Sequence, residues 1–325
     1  MEEKHFDVII VGGGPAGLTA GLYTSRAKLN SVLLEKAFAG GMVASTGHVE
    51  NYPGVKRISG MELARAMEEQ AKEFGLNIEI CDVQCIKTEE DKLAVESSSA
   101  RFIAPAVILT TGVKPKALGV PGEKEYRGRG VSYCAICDGF FYNGKHVAVV
   151  GGGDSAVEEG TYLTKFANKV SIIHRRDGLR AQKILQERAK SNPKIEFILS
   201  TIIKEIKAGD DGFVNMLTLE NLKTGNIYEM PVDGVFIYVG TEPNNFICNL
   251  DLKTDELGFI VTDDRMRTSV PGLFAAGDLR SKFLRQIVTA VSDGAVAAVS
   301  AEKYIEELKE KKKTFYMGWL NGKSS

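Results

Sequence analysis

The sequence predicts an α/β protein made of two Rossmann-like, three-layer nucleotide-binding domains, one inserted into the other. Three observations carry that prediction. A strand, a glycine-rich turn and a helix occur twice, with first glycines at Gly12 and Gly151, 139 residues apart (151 − 12). The strands are short uninterrupted apolar runs, the pattern of parallel strands covered on both faces. Past Asn244 the character of the first half returns, with Leu273-Phe274-Ala275-Ala276-Gly277-Asp278 reading as a strand that ends in an acid.

Asp7-Val8-Ile9-Ile10-Val11 is the first strand; Gly12-x-Gly14-x-x-Gly17 follows it, and a helix-compatible stretch runs to about Ala27. Ser31-Val32-Leu33-Leu34 is the next strand and ends in Glu35. Lys87 to Lys92 and Ser97-Ser98-Ser99 read as turns of a small antiparallel insertion, and Val107-Ile108-Leu109-Thr110-Thr111-Gly112 as another buried strand ending in glycine. In the second unit Val147-Ala148-Val149-Val150 leads into Gly151-x-Gly153-x-x-Ala156, a helix, Val170-Ser171-Ile172-Ile173, and then His174-Arg175-Arg176. Val235-Phe236-Ile237-Tyr238-Val239-Gly240 repeats the glycine-ended strand. Junctions fall near 114–122 and 241–249, both rich in Pro, Gly and Asn. Glu302 to Leu308 reads as a helix end, followed by Lys311-Lys312-Lys313 and a tail carrying Phe315, Tyr316 and Trp319. That tail reads as disordered or docked on a dimer surface, the alternative being a cover over a cofactor edge.

A single G-x-G-x-x-G is a weak signal, but each copy here has a strand before it, a helix after it and a second strand at the expected distance. Two such units imply two nucleotide sites. The ends of the second strands tell them apart, because that position meets the adenosine ribose. Glu35 lies 18 residues beyond Gly17 (35 − 17), and His174 lies 18 beyond Ala156 (174 − 156). A carboxylate there accepts from ribose hydroxyls, as in FAD or NAD sites, and repels a 2′-phosphate. Arg175, Arg176 and the nearby Arg180 instead offer forked donors to a phosphate, each charged hydrogen bond worth roughly 1.5 to 3 kcal/mol. The second site is therefore expected to prefer NADPH over NADH. The competing readings are a surface charge at Glu35 and a solvated basic face at the arginines.

Cys134-Ala135-Ile136-Cys137-Asp138-Gly139 precedes the second glycine turn, Asp138 lying 13 residues before Gly151 (151 − 138). Two cysteines at this spacing can close a small disulfide, and beside a nucleotide fold the pattern reads as redox-active. A structural zinc site needs four ligands, and no second C-x-x-C accompanies this one. Asp138 is placed to hold the proton that accompanies thiolate formation, the plainer reading being a turn residue before Gly139. Cys81, Cys85 and Cys248 read as small core or edge residues, and His5, His48 and His146 form no base-plus-nucleophile arrangement.

The 325 residues, 44% hydrophobic and 26% charged, suffice for two cores and exclude global disorder. Lys plus Arg number 41 against 42 Asp plus Glu, so no charge excess draws the chain to nucleic acid or membrane. No apolar run approaches the roughly 18 residues of a membrane helix, and the start of the chain shows no signal-peptide pattern. A cytoplasmic location is expected. The five cysteines are too few for a disulfide scaffold.

Taken together these residues resemble the low-molecular-weight bacterial thioredoxin reductases, from about Asp7 to Ile305. The resemblance rests on Gly12-Gly13-Gly14-Pro15-Ala16-Gly17, Glu50-Asn51-Tyr52-Pro53-Gly54, the Cys134 to Gly139 stretch, Gly151 to Glu159, His174-Arg175-Arg176-x-x-x-Arg180, and Gly277-Asp278 with Arg285-Gln286. It implies an FAD-binding domain formed by 1–116 and 247–325, an inserted NADPH-binding domain at 117–246 that carries the redox disulfide, and a homodimer. It places the FAD pyrophosphate at Gly12, Gly14, Pro15, Ala16 and Gly17, and its ribose at Glu35 with Lys36 beside it. Further FAD contacts fall at Gly40, Gly41, Met42, Asn51, Thr111, Gly112, Gly277, Asp278, Arg285, Gln286 and Ile287. NADPH falls to Gly151, Gly153, Asp154, Ser155, Ala156, His174, Arg175, Arg176, Arg180, Val239 and Gly240, and no metal is implied. Met42 stands where the family commonly has glutamine, and Ile136 where threonine is frequent between the cysteines.

The implied activity passes hydride from NADPH to FAD, electrons to the Cys134/Cys137 disulfide, and then reduces thioredoxin by thiol–disulfide exchange. Spacing does not say which cysteine adjoins the flavin; the family points to Cys137. Nicotinamide and disulfide share one domain and the flavin lies in the other, a difficulty the family resolves by rotating the NADPH domain about the two junctions. The alternatives are the same design serving another dithiol carrier, glutaredoxin-like or peroxiredoxin-linked, or taking electrons from a donor other than NADPH. A flavin-binding redox sensor without turnover is a third.

Overall fold

Val8–Val11 is buried along its whole length and forms the middle of a five-stranded sheet in the computed structural model, which describes residues 2–46, 48–244 and 250–322, the side chains of 312 and 314–322 apart. The described residues fall into two compact units, 1–44 with 48–113 and 242–325, and 45–47 with 114–241.

In the first unit the strand order is Leu273–Ala275, Ala106–Leu109, Val8–Val11, Ser31–Glu35, Asn77–Ile80, all neighbours parallel. Side chains alternate across each strand. Val8 and Ile10 pack with Leu18, Leu33, Ile108 and Phe274 on the helical face, whereas Ile9 and Val11 pack with Ile86, Leu93, Val95 and Phe102 on the other. The second face is covered by the antiparallel strands Val83–Glu89, Lys92–Ser97 and Ala100–Ala104, the expected insertion, with Glu2–His5 added in parallel at its edge. Each fully buried Val, Leu or Ile contributes about 1.5 to 3 kcal/mol, so a strand apolar on both faces is fixed in place.

The second unit repeats the plan. Its parallel order is Val131–Ser132, Gly234–Tyr238, His146–Gly151, Lys169–Ile173, Ile195–Ile198. The helices Asp154–Leu163 and Lys183–Lys190 belong to it, and an antiparallel sheet of Thr201–Ala208, Val214–Asn221 and Ile227–Pro231 supplies the third layer, whose Leu217 and Leu219 pack with Val150 and Val235. The expected fold class, two Rossmann-like three-layer units of α/β type, is what the chain adopts.

One expectation is corrected. The final helix does not end near Leu308 but runs from Ile287 to Gly322. Glu, Lys and Leu are good helix formers, and no Gly or Pro interrupts the run between Val299 and Met317. The charge cluster Lys309 to Lys313 therefore lies within the helix. No helix among the described residues is long and apolar enough to cross a membrane.

Candidate nucleotide sites and redox disulfide

In each sheet the chain turns left from the central strand for one connection and right for another, so both Val8–Val11 and His146–Gly151 end at a topological switch point, where open parallel sheets bind ligands. Both glycine turns sit there.

In the first unit Gly12 has φ +107°, a conformation other residues rarely adopt. A Cβ on Gly17 would stand 1.9 Å from the Gly12 carbonyl oxygen, so only glycine lets the helix Pro15–Arg26 start this close to the strand. That helix has no side-chain cap at Gly14, and a Cβ on Gly14 would meet nothing within 4 Å. Its first amides thus face open space, the arrangement that favours a pyrophosphate. Glu35 is held against the turn: one carboxylate oxygen accepts from the Gly13 amide at 2.6 Å, the other from the Lys36 amide at 2.7 Å. The Lys36 ammonium itself points to Asp82, at 2.9 Å.

Gly40 and Gly41 close over the same turn, the Gly40 amide donating to the Gly13 carbonyl at 2.7 Å. Met42 is exposed. Asn51 donates to Gln286 Oε1 at 3.0 Å across 235 residues, and Ile287 packs with Val43, Val49 and Leu63. Thr111 Oγ1 donates to the Asn244 carbonyl at 3.0 Å, and the Gly112 carbonyl accepts from the Asn244 amide at 3.0 Å. Gly277 lies over Ala16. Arg285 donates to the Asp278 carbonyl at 3.1 Å and covers the Phe259 ring.

Asp278 Oδ1 is buried without a hydrogen-bond partner. Burial pushes its carboxyl up, and Lys282 and Arg285 pull it back. Beneath it sits a cluster the sequence reading missed: buried Asp293 accepts from Arg280 and Lys282, both at 2.9 Å, and from the Gly277 amide at 3.1 Å. An acid inside an otherwise small and apolar helical stretch was the available signal.

In the second unit Gly151 has φ +150°, and a Cβ there would lie 2.3 Å from the Tyr238 carbonyl oxygen. Gly153, at the start of the helix Asp154–Leu163, again has no side-chain cap and open space beside it. Asp154 is turned aside, accepting from the Gln182 amide at 2.8 Å and from its side chain at 2.9 Å. Ser155 is exposed and Ala156 fully buried. His174 packs flat on Gly152 and is buried, its Nε2 without a partner; burial, then Arg180, Arg176 and Arg175, pull its pKa down. Arg180 is tied to the turn through its amide, which donates to the Gly152 carbonyl at 2.7 Å. Arg175, Arg176 and Arg180 are exposed and make no ion pair among the described residues. Val239 packs at the rim of the core, and the Gly240 carbonyl accepts from the Lys116 amide.

Cys134 and Cys137 are joined as a disulfide with Cα atoms 5.4 Å apart, Cys134 half-buried and Cys137 exposed. Cys134 caps the single turn Ala135–Asp138 and Cys137 lies within it, the Cys137 amide donating to Cys134 Sγ at 3.2 Å. Buried Ser132 receives the Cys134 amide at 3.0 Å and donates to Asp138 Oδ2 at 2.6 Å, so Asp138 is held beside the disulfide. The Ala135 amide donates to the Tyr238 phenol at 2.9 Å. Cys81 is half-buried, its thiol pushed up to about 11 by burial first and then by Glu79; Cys85 is half-buried as well, and Cys248 lies outside the described residues.

A chain with two such switch points and a closed C-x-x-C is built for electron transfer between a pyridine nucleotide and a disulfide. Residues 6–294 match the pyridine nucleotide-disulphide oxidoreductase family, and the chain belongs to it. Within it the relatives are thioredoxin reductases. That of Bacillus subtilis is 52% identical over 314 residues, spanning 96% of this chain and 99% of the relative. That of Listeria monocytogenes is 51% identical over 310 residues, 95% of this chain and 97% of its own length. Among solved structures, the thioredoxin reductase of Lactococcus lactis matches with a TM-score of 0.90 at 46% identity, covering 93% of this chain and 99% of that one.

Proposed function

We propose that this chain works as an NADPH-dependent, FAD-containing thioredoxin-disulfide reductase. The observation that carries the reading is the closed Cys134–Cys137 disulfide in a unit whose open glycine turn adjoins unpaired arginines, while the other unit repeats the turn with a carboxylate at its ribose position. FAD supplies two-electron chemistry, accepting hydride from NADPH and passing an electron pair to the disulfide.

Residues 1–116 with 247–325 take the FAD role, and 117–246 the NADPH role. The amides of the turn from Gly12 to Gly17, with Pro15 and Ala16 opening the helix, hold the FAD pyrophosphate. Glu35 accepts from ribose hydroxyls, and Asp278 Oδ1, which has no hydrogen-bond donor of its own and lies 3.7 Å from the Lys282 ammonium, from a ribityl hydroxyl. Arg175, Arg176 and Arg180 bind the 2′-phosphate of NADPH. On reduction the Sγ–Sγ bond breaks and one sulfur is left as thiolate. That thiolate attacks a sulfur of the thioredoxin disulfide, forming a mixed disulfide and releasing one thioredoxin thiolate. The second cysteine then resolves the mixed disulfide, re-forming Cys134–Cys137 and releasing reduced thioredoxin. Asp138, fixed by Ser132, holds or returns the proton at these sulfurs. The working form is a homodimer in the cytoplasm.

The test is an anaerobic titration of purified protein with NADPH and, separately, NADH, followed by thiol counting. Flavin bleaching by NADPH with two new thiols at Cys134 and Cys137 is expected. Bleaching without new thiols would refute the relay.

A further inference from the structure

Among the buried acids that the mechanism leaves unused, Glu159 stands out by an orphaned oxygen. Glu159, in the helix that opens at the second glycine turn, is 9% exposed, and its Oε2 is buried with no hydrogen-bond partner. An orphaned buried carboxyl is costly and needs an explanation.

Its surroundings supply one. Ala156 and Leu163, one turn either side of Glu159, belong to the cluster that also holds Ala135, with Tyr238 packed against it. Glu159 therefore projects from the face that supports the disulfide turn. Its charge acts on Tyr238, the largest influence on that phenol after burial; both push the phenol up, so it stays neutral and keeps its proton. The Tyr238 oxygen in turn accepts from the Ala135 amide at 2.9 Å, the residue next to Cys134. Glu159, Tyr238 and the half-buried Cys134 end of the redox turn are thus linked through one cluster.

We propose that Glu159 is a positioning residue for the redox disulfide, acting through Tyr238 so that its ionisation state sets how readily Cys134–Cys137 is reduced. The inference rests on the relay proposed above. Burial first, and then Glu158, push the Glu159 carboxyl up to about 8, so it is neutral at pH 7. The charged or titratable groups around it are Glu158 on its own helix and Tyr238 on the strand Gly234–Tyr238, a phenol on which Asp138 also acts. The strands His146–Gly151 and Lys169–Ile173 present apolar side chains to the helix, and Lys183–Lys190 packs on the Val157 face instead.

When two electrons break the Sγ–Sγ bond, one proton from solvent makes a thiol and the other sulfur is left as thiolate. A neutral Glu159 does not oppose that new charge. An ionised Glu159 does, unless it rebinds a proton. Reduction above the Glu159 pKa therefore takes up an extra fraction of a proton, and the equilibrium constant for reduction falls more steeply with pH than the thiols alone require.

The experiment equilibrates the full-length holoenzyme with dithiothreitol redox buffers across pH, with the Cys134/Cys137 thiol fraction trapped by alkylation. Near pH 6.5 Glu159→Gln is expected within about twofold of wild type, and near pH 9 about three- to tenfold easier to reduce. Tyr238→Phe, which keeps the ring, is expected to weaken the same pH dependence, and the double variant to match Tyr238→Phe alone. If one variant does not accumulate, the other serves. Wild-type pH dependence in the variant that does fold overturns the proposal. Because dithiothreitol is the reductant, a protein that fails to reduce thioredoxin would count against the relay and leave this result to be read on its own.

Discussion

Replacing Gly17 by alanine separates the two glycine turns more sharply than any other single change. The new Cβ would lie 1.9 Å from the Gly12 carbonyl oxygen and 2.7 Å from Thr110 Oγ1. An unstrained contact sits at roughly 3.5 Å, so helix and strand must part by more than about 1 Å. The obstructing atom is backbone and cannot swing aside, which places the penalty at the upper end of overpacking, about 3 kcal/mol. If that strain is relieved by opening the turn, the pyrophosphate amides move with it, and FAD affinity falls by about 100-fold at 1.4 kcal/mol per tenfold. The second turn carries Ala156 at the corresponding position, so Ala156→Gly is expected to leave flavin content and NADPH kinetics near wild type. The assay is flavin stoichiometry after dialysis, together with titration of the apoprotein with FAD. A Gly17→Ala protein that retains full flavin at wild-type affinity would refute the close-approach argument.

Arg175→Ala with Arg176→Ala should lower kcat/KM for NADPH by about 10- to 100-fold while changing that for NADH by less than about threefold; equal losses for both would remove the 2′-phosphate assignment. Asp138→Asn should slow thiol–disulfide exchange with thioredoxin by about 100-fold while leaving flavin reduction by NADPH intact, a split that stopped-flow spectra resolve. Glu159 also makes a stability prediction. Its folded pKa is raised from 4.5 to about 8, so the native state holds a proton the unfolded chain has released, and stability falls as pH rises through that window. Relative to wild type, Glu159→Gln should gain stability steadily from pH 5 to pH 8, by about 1 kcal/mol or more. Parallel melting-temperature profiles for the two proteins would contradict the shift.

How much of this was legible in the residues depended on burial. Val8–Val11, Val147–Val150 and Val235–Ile237 are apolar on both faces because helices cover one side of each sheet and antiparallel strands the other, so their runs stand out in any reading. The antiparallel layer at 201–231 was invisible by the same logic. Thr201–Ala208 buries one face only, and its Lys204, Glu205 and Lys207 make it read as surface chain. Val131–Ser132, two residues long, is a strand only because Gly234–Tyr238 lies beside it. Glu35, Arg175, Arg176 and the C-x-x-C could be named because their chemistry depends on spacing from a glycine turn. Tyr238 could not, since its partner comes from a distant segment, Ala135 meeting it across 103 residues, and Ser132 could not because no motif marks its local bonds to Cys134 and Asp138.

The most direct test of the central claim is NADPH oxidation by the purified flavin-loaded protein with and without an oxidised thioredoxin. Rapid, thioredoxin-dependent oxidation, abolished by Cys134→Ser or Cys137→Ser and much slower with NADH, is the predicted result. NADPH oxidation indifferent to thioredoxin, or undiminished in the cysteine variants, would contradict it.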